Sequence, residues 1–284
     1  MTGSPADTSG PEAPVVVARA RAGQGAGPTR VLLLHGLASS STTWNGVVER
    51  VAPACEVWTA DLPWRGAGVP GWWRRTPAEW AGEAVDAVPG GPDVVVAHSF
   101  GANALLSLLD TRGAEPAGSW RPPRGVVLAS PFYRSTEDDF DWEAISYYLN
   151  DFDRILEDGV RVRSGGRLPQ DVRHRMALKV RDRVGCYGWM RFFDSYLATP
   201  ALRTSRMRMP FLLIGGGDDF SAYPRDAEAL GRALPDAAVH ILGGTGHFAM
   251  TERTEDFADL VNAFIHDTDA PAHPDVPLSA LEYH

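Results

Sequence analysis

The sequence predicts an α/β fold: a mostly parallel central sheet, helices on both faces and a helical cap insertion. Three observations carry this. Short apolar runs recur at 31–34, 94–97, 124–131, 210–215 and 238–243, with helical patterns between and after them. Strands apolar on both faces belong to parallel sheets covered on two sides. At 97–101 a serine flanked by small residues, Ala97-His98-Ser99-Phe100-Gly101, joins one such run to a helical stretch. Finally, 134–209 breaks the alternation with helical periodicity alone.

In order, residues 1–13 are polar, rich in Pro, Gly, Ser and Thr, and read as a disordered tail. A first strand is expected over 14–20 and a second over 31–34, with a helix over 44–51 and a strand from Glu56 to the exit at Asp61-Leu62-Pro63. Thr76-Pro77 opens a helix with proline in its first turn, running through Trp80, Ala84 and Val88. The serine turn follows, between the strand 94–97 and a helix over 102–109. Helices over 224–234 and 251–265 follow the last two strands. The core is thus 14–133 and 210–267, the cap 134–209, and 268–284 a polar C-terminal tail. Within the cap, Trp142, Ile145, Leu149, Phe152 and Leu156 form one amphipathic stripe, and Val172, Met176, Val180, Val184 and Tyr187 a second. An all-helical insert between two strands reads as a lid over their carboxyl ends, where open α/β sheets bind ligands.

Composition narrows the function classes. The 284 residues are 44% hydrophobic and 22% charged, ordinary values for a globular protein, and the net charge of −9 argues against nucleic-acid or anionic-membrane partners. No apolar stretch reaches transmembrane length, and no signal-peptide pattern opens the chain. The 2 cysteines lie far apart, at 55 and 186, which fits reduced thiols in a cytoplasmic protein; no Cys/His cluster has metal-ligand spacing, and no cofactor is expected.

The serine turn resembles the nucleophile elbow of the α/β-hydrolase superfamily, with Ala97 in place of the usual first glycine. In that family the order is nucleophile, acid, histidine. After the strand 210–214 comes Gly215-Gly216-Gly217-Asp218-Asp219, similar to the family's acid loop; Asp219, counted from Gly216, fits best and Asp218 is its rival. An acid after the earlier strand, Asp138 or Asp139, is a lesser alternative. Gly246-His247-Phe248 resembles the histidine loop. The resemblance implies Ser99 as nucleophile, His247 as general base and Asp219 as its orienting acid. Two amides should meet the developing oxyanion: that of Phe100, next to the serine at a helix start, and that of Leu37, since His35-Gly36-Leu37 resembles the family's oxyanion loop. His98 is assigned no chemical role. Asp61-Leu62-Pro63-Trp64-Arg65-Gly66 resembles the Asp-Leu-Pro-Gly-His-Gly turn of many members, and its Trp64 and Arg65 either narrow the pocket mouth or decorate the surface.

The pocket is expected to include His35, Phe132, Tyr133, Trp142, Trp189 and Phe248, and 9 tryptophans point to a large apolar substrate. The cap is split in charge: 136–158 holds nine Asp/Glu and one Arg, whereas 159–183 holds eight Lys/Arg and two Asp. Either the basic half binds an anionic carrier- or CoA-linked substrate, or the halves are solvated helix faces that pair with each other; the second reading is favoured. The expected function is a cytoplasmic serine hydrolase that cleaves an ester or thioester of a largely apolar small molecule through an acyl-enzyme. The alternatives are non-hydrolytic chemistry on the same fold (cyclisation, acyl transfer or C–C cleavage) and a non-catalytic ligand-binding protein.

Overall fold

The computed structural model describes residues 14–116, 118, 120–150 and 152–269. The expected tail 1–13 and positions 270–284 of the expected C-terminal tail lie outside the described residues, whereas 268 and 269 belong to the last helix. Seven strands form one sheet: β1 (Val16–Arg21), β2 (Thr29–Leu34), β3 (Cys55–Asp61), β4 (Val94–His98), β5 (Gly125–Ala129), β6 (Phe211–Gly216) and β7 (Ala237–Leu242). Their order is β1-β3-β2-β4-β5-β6-β7; β1 runs antiparallel to β3, and the remaining pairs are parallel. From β2 the chain moves outward to β3, then crosses back to β4 on the other side of β2. The strand order therefore reverses between β2 and β4, and a crevice opens beyond their carboxyl ends.

Period-two alternation divides the core. Leu32, Leu34, Val95, Ala97, Val126, Leu128 and Leu213 face α2 (Pro77–Asp86), α3 (Phe100–Arg112) and α7 (Pro224–Ala233). Val31, Leu33, Val94, Val96, Val127 and Leu212 face Val47 of α1 (Asn45–Arg50) and Phe257, Val261 and Ile265 of α9 (Thr254–Asp269). Both faces are therefore covered, which is why these strands lack polar positions. α2 begins on a capping box: Thr76 Oγ1 accepts from the Glu79 amide, the Glu79 carboxylate accepts from the Thr76 amide, and Pro77 fills the first helical position. The helix expected over 251–265 is two, α8 (Ala249–Glu252) and α9, because Arg253 leaves helical geometry at φ −132°.

Between β5 and β6 the chain forms α4 (Trp142–Asn150), α5 (Phe152–Arg163) and α6 (Gln170–Leu197). The single stripe expected over 142–156 is thus divided between two helices. α6 breaks helical geometry at Gly185 (φ 68°, ψ 168°). Part of the charge split pairs across the two helices: Glu157 of α5 meets Arg173 and His174 of α6 at 3.7 and 3.5 Å, and Asp153 meets Arg181 at 3.6 Å. At the base of the insert, incoming and outgoing chain are cross-linked. The Arg134 amide donates to Thr199 Oγ1 (3.1 Å), and buried Asp226 of α7 faces both Arg134 Nη1 and Tyr196 Oη at 3.2 Å. Burial outweighs these partners and pushes the Asp226 carboxyl up to about 6.

Close approach is required at Gly101 in α3. A Cβ there would lie 2.6 Å from the His35 carbonyl oxygen and 3.2 Å from that of Leu34. Gly101→Ala is expected to lose about 1–3 kcal/mol of unfolding free energy in urea titrations, because backbone has to move to admit the methyl.

Candidate active site

Three loops at the carboxyl edge of the sheet converge on one cavity. The first is the turn between β4 and α3. Ser99 has φ 55° and ψ −125°, a conformation of order 1–3 kcal/mol above the ordinary wells. Its amide donates to the Ala129 carbonyl at 2.8 Å, tying the turn to β5. Packing permits only small neighbours: Ala97 is fully buried, and a Cβ on Gly36 would sit 2.9 Å from the Cβ of Ser99.

The second and third loops follow β6 and β7 and are bonded to each other. The Gly217 amide donates to the Leu242 carbonyl (2.8 Å) and the Asp218 amide to that of Thr245 (2.9 Å). Gly216 makes this contact feasible, since a Cβ there would collide with the Gly246 carbonyl oxygen at 2.1 Å. The result is a continuous relay. Ser99 Oγ lies 2.9 Å from His247 Nε2, and His247 Nδ1 lies 2.7 Å from Asp219 Oδ2. The other carboxylate oxygen, Oδ1, accepts from the Ser221 amide (2.9 Å), Ser221 Oγ (2.8 Å) and the Ala222 amide (3.1 Å). Burial alone would raise the Asp219 carboxyl, but the His247 imidazole and the Ser221 donors outweigh it and hold it below the usual carboxylate range. Asp218, Asp138 and Asp139 are exposed and take no part in this relay.

The two amides expected as oxyanion donors both lie next to the cavity. Phe100 begins α3 directly after Ser99, and Leu37 lines the cavity. Among the described residues, neither amide donates to a protein acceptor. The Leu37 loop is held by the 62–66 turn: the Leu62 amide donates to His35 Nε2 (2.9 Å), Trp64 Nε1 to the His35 carbonyl (3.1 Å), and the Ala38 amide to the Trp64 carbonyl (2.9 Å). Trp64 neither narrows the mouth nor sits on the surface; it is buried against Phe100 and Trp72, with ring centroids 4.9 and 5.9 Å away.

The cavity itself is about 40 Å³. Its floor is Ser99, His98 and His247, its side Leu37, Ala38 and Ser39, and its roof the α5 face of Phe152, Ile155, Leu156, Gly159 and Arg163. Phe132, Phe192 and Phe248 complete it. Of the expected pocket residues, then, Phe132 and Phe248 line it and four do not. His35 is buried beneath the loop it braces. Tyr133 packs into the core. Trp189 stacks on Phe193 (5.1 Å), behind Phe152. Trp142 is 82% exposed, because α4 ends before α5 begins and turns its first residue to solvent. None of the 9 tryptophans lines the cavity, so their abundance reports the core and the surface rather than a large substrate.

His98 was assigned no role by the sequence, yet it belongs to the site. Its Nε2 lies 2.9 Å from the His247 carbonyl oxygen, and the two rings are 4.8 Å apart. Burial and the neighbouring His247 keep it well below the usual histidine range, so it is a neutral donor that fixes the backbone of His247. Its adjacency to Ser99 was the available signal. The insert also grips both loops. Tyr147 and Tyr148 of α4 donate to the Phe220 and Ser221 carbonyls at 2.8 Å. Arg161 of α5 reaches Glu252 (3.3 Å), which accepts from the Phe248 amide (3.2 Å). Among the described residues, no cluster of His, Cys, Asp and Glu could hold a metal ion, and no helix is long and apolar enough to cross a membrane.

A family model described as the Alpha/beta hydrolase family matches residues 31–260. Solved structures with the same fold include Est816, an N-acyl homoserine lactone degrading enzyme, at 18% identity and TM-score 0.64 over 88% of this chain and 96% of that one. The esterase RhEst1 from Rhodococcus sp. ECU1013 gives 18% and 0.62 over 89% and 95%. The enol-lactonase from Burkholderia xenovorans LB400 gives 19% and 0.59 over 89% and 95%. No curated protein matches at a significant level.

His35 supplies a pH signature. Burial, partly offset by its bond to the Gly36 carbonyl, lowers it to about 4, and its Nε2 lone pair is committed to the Leu62 amide. The unfolded chain therefore takes up a proton between pH 6.5 and 4 that the folded chain refuses, and stability falls as pH falls through that window. The stability advantage of wild type over His35→Gln, from urea titrations at pH 7 and pH 4, is expected to shrink by about 3 kcal/mol.

Proposed function

Because the chain belongs to the alpha/beta hydrolase family, we propose that it is a serine hydrolase that cleaves an ester or thioester of a largely apolar small molecule through an acyl-enzyme on Ser99. The observation that carries this reading is the relay Asp219–His247–Ser99, ending at a cavity whose lining is mostly apolar. A serine hydroxyl attacks only if its proton is removed as the bond forms. His247 Nε2 is at hydrogen-bond distance to take that proton, and it later returns it to the departing alkoxide or thiolate. Asp219 holds the tautomer with Nδ1 protonated and offsets the imidazolium charge. The amides of Leu37 and Phe100, uncommitted in the protein, receive the oxyanion of the tetrahedral intermediate. Water then repeats the sequence on the acyl-enzyme.

The cavity is small, and an acyl group entering it packs against Phe132, Phe152, Leu156 and Phe248. The esterase and lactonase activities of structural neighbours are compatible with this chemistry.

A fluorophosphonate probe should label the wild-type protein and leave Ser99→Ala unlabelled. On p-nitrophenyl acetate, Asp219→Asn should lower kcat by about 10³–10⁴, whereas exposed Asp218→Asn should stay within about threefold. Absence of labelling, or equal effects of the two aspartate changes, would overturn the assignment. Comparing p-nitrophenyl esters with acyl thioesters of the same acyl chain then sorts the leaving group.

A further inference from the structure

In the basic half of the insert Arg161, Arg173, Arg175 and Arg181 are matched by acids, whereas Arg163 is not. It lies in the last turn of α5 and lines the cavity with Ser99 and His247. Its Nη1 donates to the Ala38 carbonyl at 3.3 Å, and among the described residues no carboxylate approaches it. No acidic side chain lines the cavity either. Arg163 is exposed as a residue, so its guanidinium stands where the cavity meets solvent, in position to meet an entering anion. The geometry indicates what kind of partner. With Nη1 engaged by Ala38, the edge formed by Nε and Nη2 donates to nothing in the protein, and two parallel donors on that edge match the two oxygens of a carboxylate. The rest of the wall nearby is apolar: Phe152, Ile155 and Leu156 about two to three turns earlier on the same helix face, with Phe248 against Gly159.

We propose that Arg163 is the specificity-determining residue of this pocket and that the substrate carries a free carboxylate, seated on the Nε–Nη2 edge while its ester or thioester carbonyl meets Ser99. The proposal deepens the hydrolase reading and rests on it. The cavity is short, so the two functional groups are separated by a short apolar spacer, as in a half-ester of a small dicarboxylic acid or an ester of a small hydroxy or phenolic acid. The carboxylate takes no part in bond exchange. The Ser99 Oγ–carbonyl carbon bond forms, the bond to the leaving oxygen or sulfur breaks, and the serine proton travels through His247 to that leaving atom. Since Ala38 follows Leu37, a substrate anchored on Arg163 is also aligned with the oxyanion loop.

The test compares matched pairs that differ by one charge: p-nitrophenyl hydrogen adipate against its methyl ester, and 4-acetoxybenzoate against methyl 4-acetoxybenzoate. The first pair puts the carboxylate on the acyl side, the second on the leaving group. Wild type is expected to favour the anion by at least about tenfold in kcat/KM in one pair. In Arg163→Gln that ratio should fall by about 10–100-fold, the worth of one charge-assisted pair. Arg163→Lys, which keeps the charge and loses the fork, should fall between. A ratio is read, so a general loss of folded protein cancels. A separate arm uses binding alone: in Ser99→Ala, adipate should raise the melting temperature where adipamide does not, and the effect should vanish in Ser99→Ala/Arg163→Gln. Ester turnover with no charge preference in either pair, or the same ratio in wild type and Arg163→Gln, overturns the carboxylate site and leaves the hydrolase reading standing. Adipate stabilisation that depends on Arg163, in a protein that fluorophosphonate does not label, keeps the site and overturns the hydrolase reading.

Discussion

The backbone of Ser99 is the constraint on which the rest depends. An L-residue at φ 55° persists only where surrounding structure leaves no alternative. Here β4 delivers the chain, the Ala129 carbonyl of β5 holds the serine amide, and α3 begins one residue later. The tightness of the turn then propagates. Gly101 has to be bare because His35 crosses it, and Gly36 has to be bare because His98 and Ser99 press on it. The loop holding Leu37 is therefore packed onto the elbow, and the spacing between the Ser99 hydroxyl and the Leu37 and Phe100 amides is set by van der Waals contact between two strand ends, not by flexible side chains.

The same logic governs the other two loops. Gly216 brings the histidine loop against the acid loop, and backbone hydrogen bonds join them before any side chain is considered. Asp219 is fully engaged, His247 is held by Asp219 on one side, and its backbone is held by His98 on the other. The helical insert is not a detached cover. Its tyrosines reach the acid loop and its Arg161 reaches the histidine loop, so its position is coupled to the relay.

Much of this was legible in the amino-acid order. The strands declare themselves because β2, β4, β5 and β6 are buried on both faces and tolerate little polarity. The residues of the relay stand out because each is embedded in glycines or small residues that a tight strand exit demands. The expected pocket was less legible for a physical reason. Aromatic stripes locate a helix face, but which aromatic reaches a cavity depends on where helices end and how they cross. Phe152, Ile155, Leu156, Gly159 and Arg163 form a clear i, i+3, i+4, i+7, i+11 series, yet the series starts at 152, and a stripe begun at Trp142 starts on a different helix. His98 was hidden by its strand register, Trp64 by a long-range contact, and Arg163 by the surplus of arginines around it.

The cross-link at the base of the insert has an evolutionary corollary. Arg134 and Thr199 stand where the chain leaves and re-enters the sheet layer, with Tyr196 and Asp226 beside them. A loop whose ends are already fastened together adds little closure entropy as it lengthens. The segment it bounds behaves as a cassette in which residues other than Tyr147, Tyr148 and Arg161, which hold the loops below, can drift or be swapped for another recognition surface. Diversification of what such a molecule accepts therefore need not disturb how it reacts.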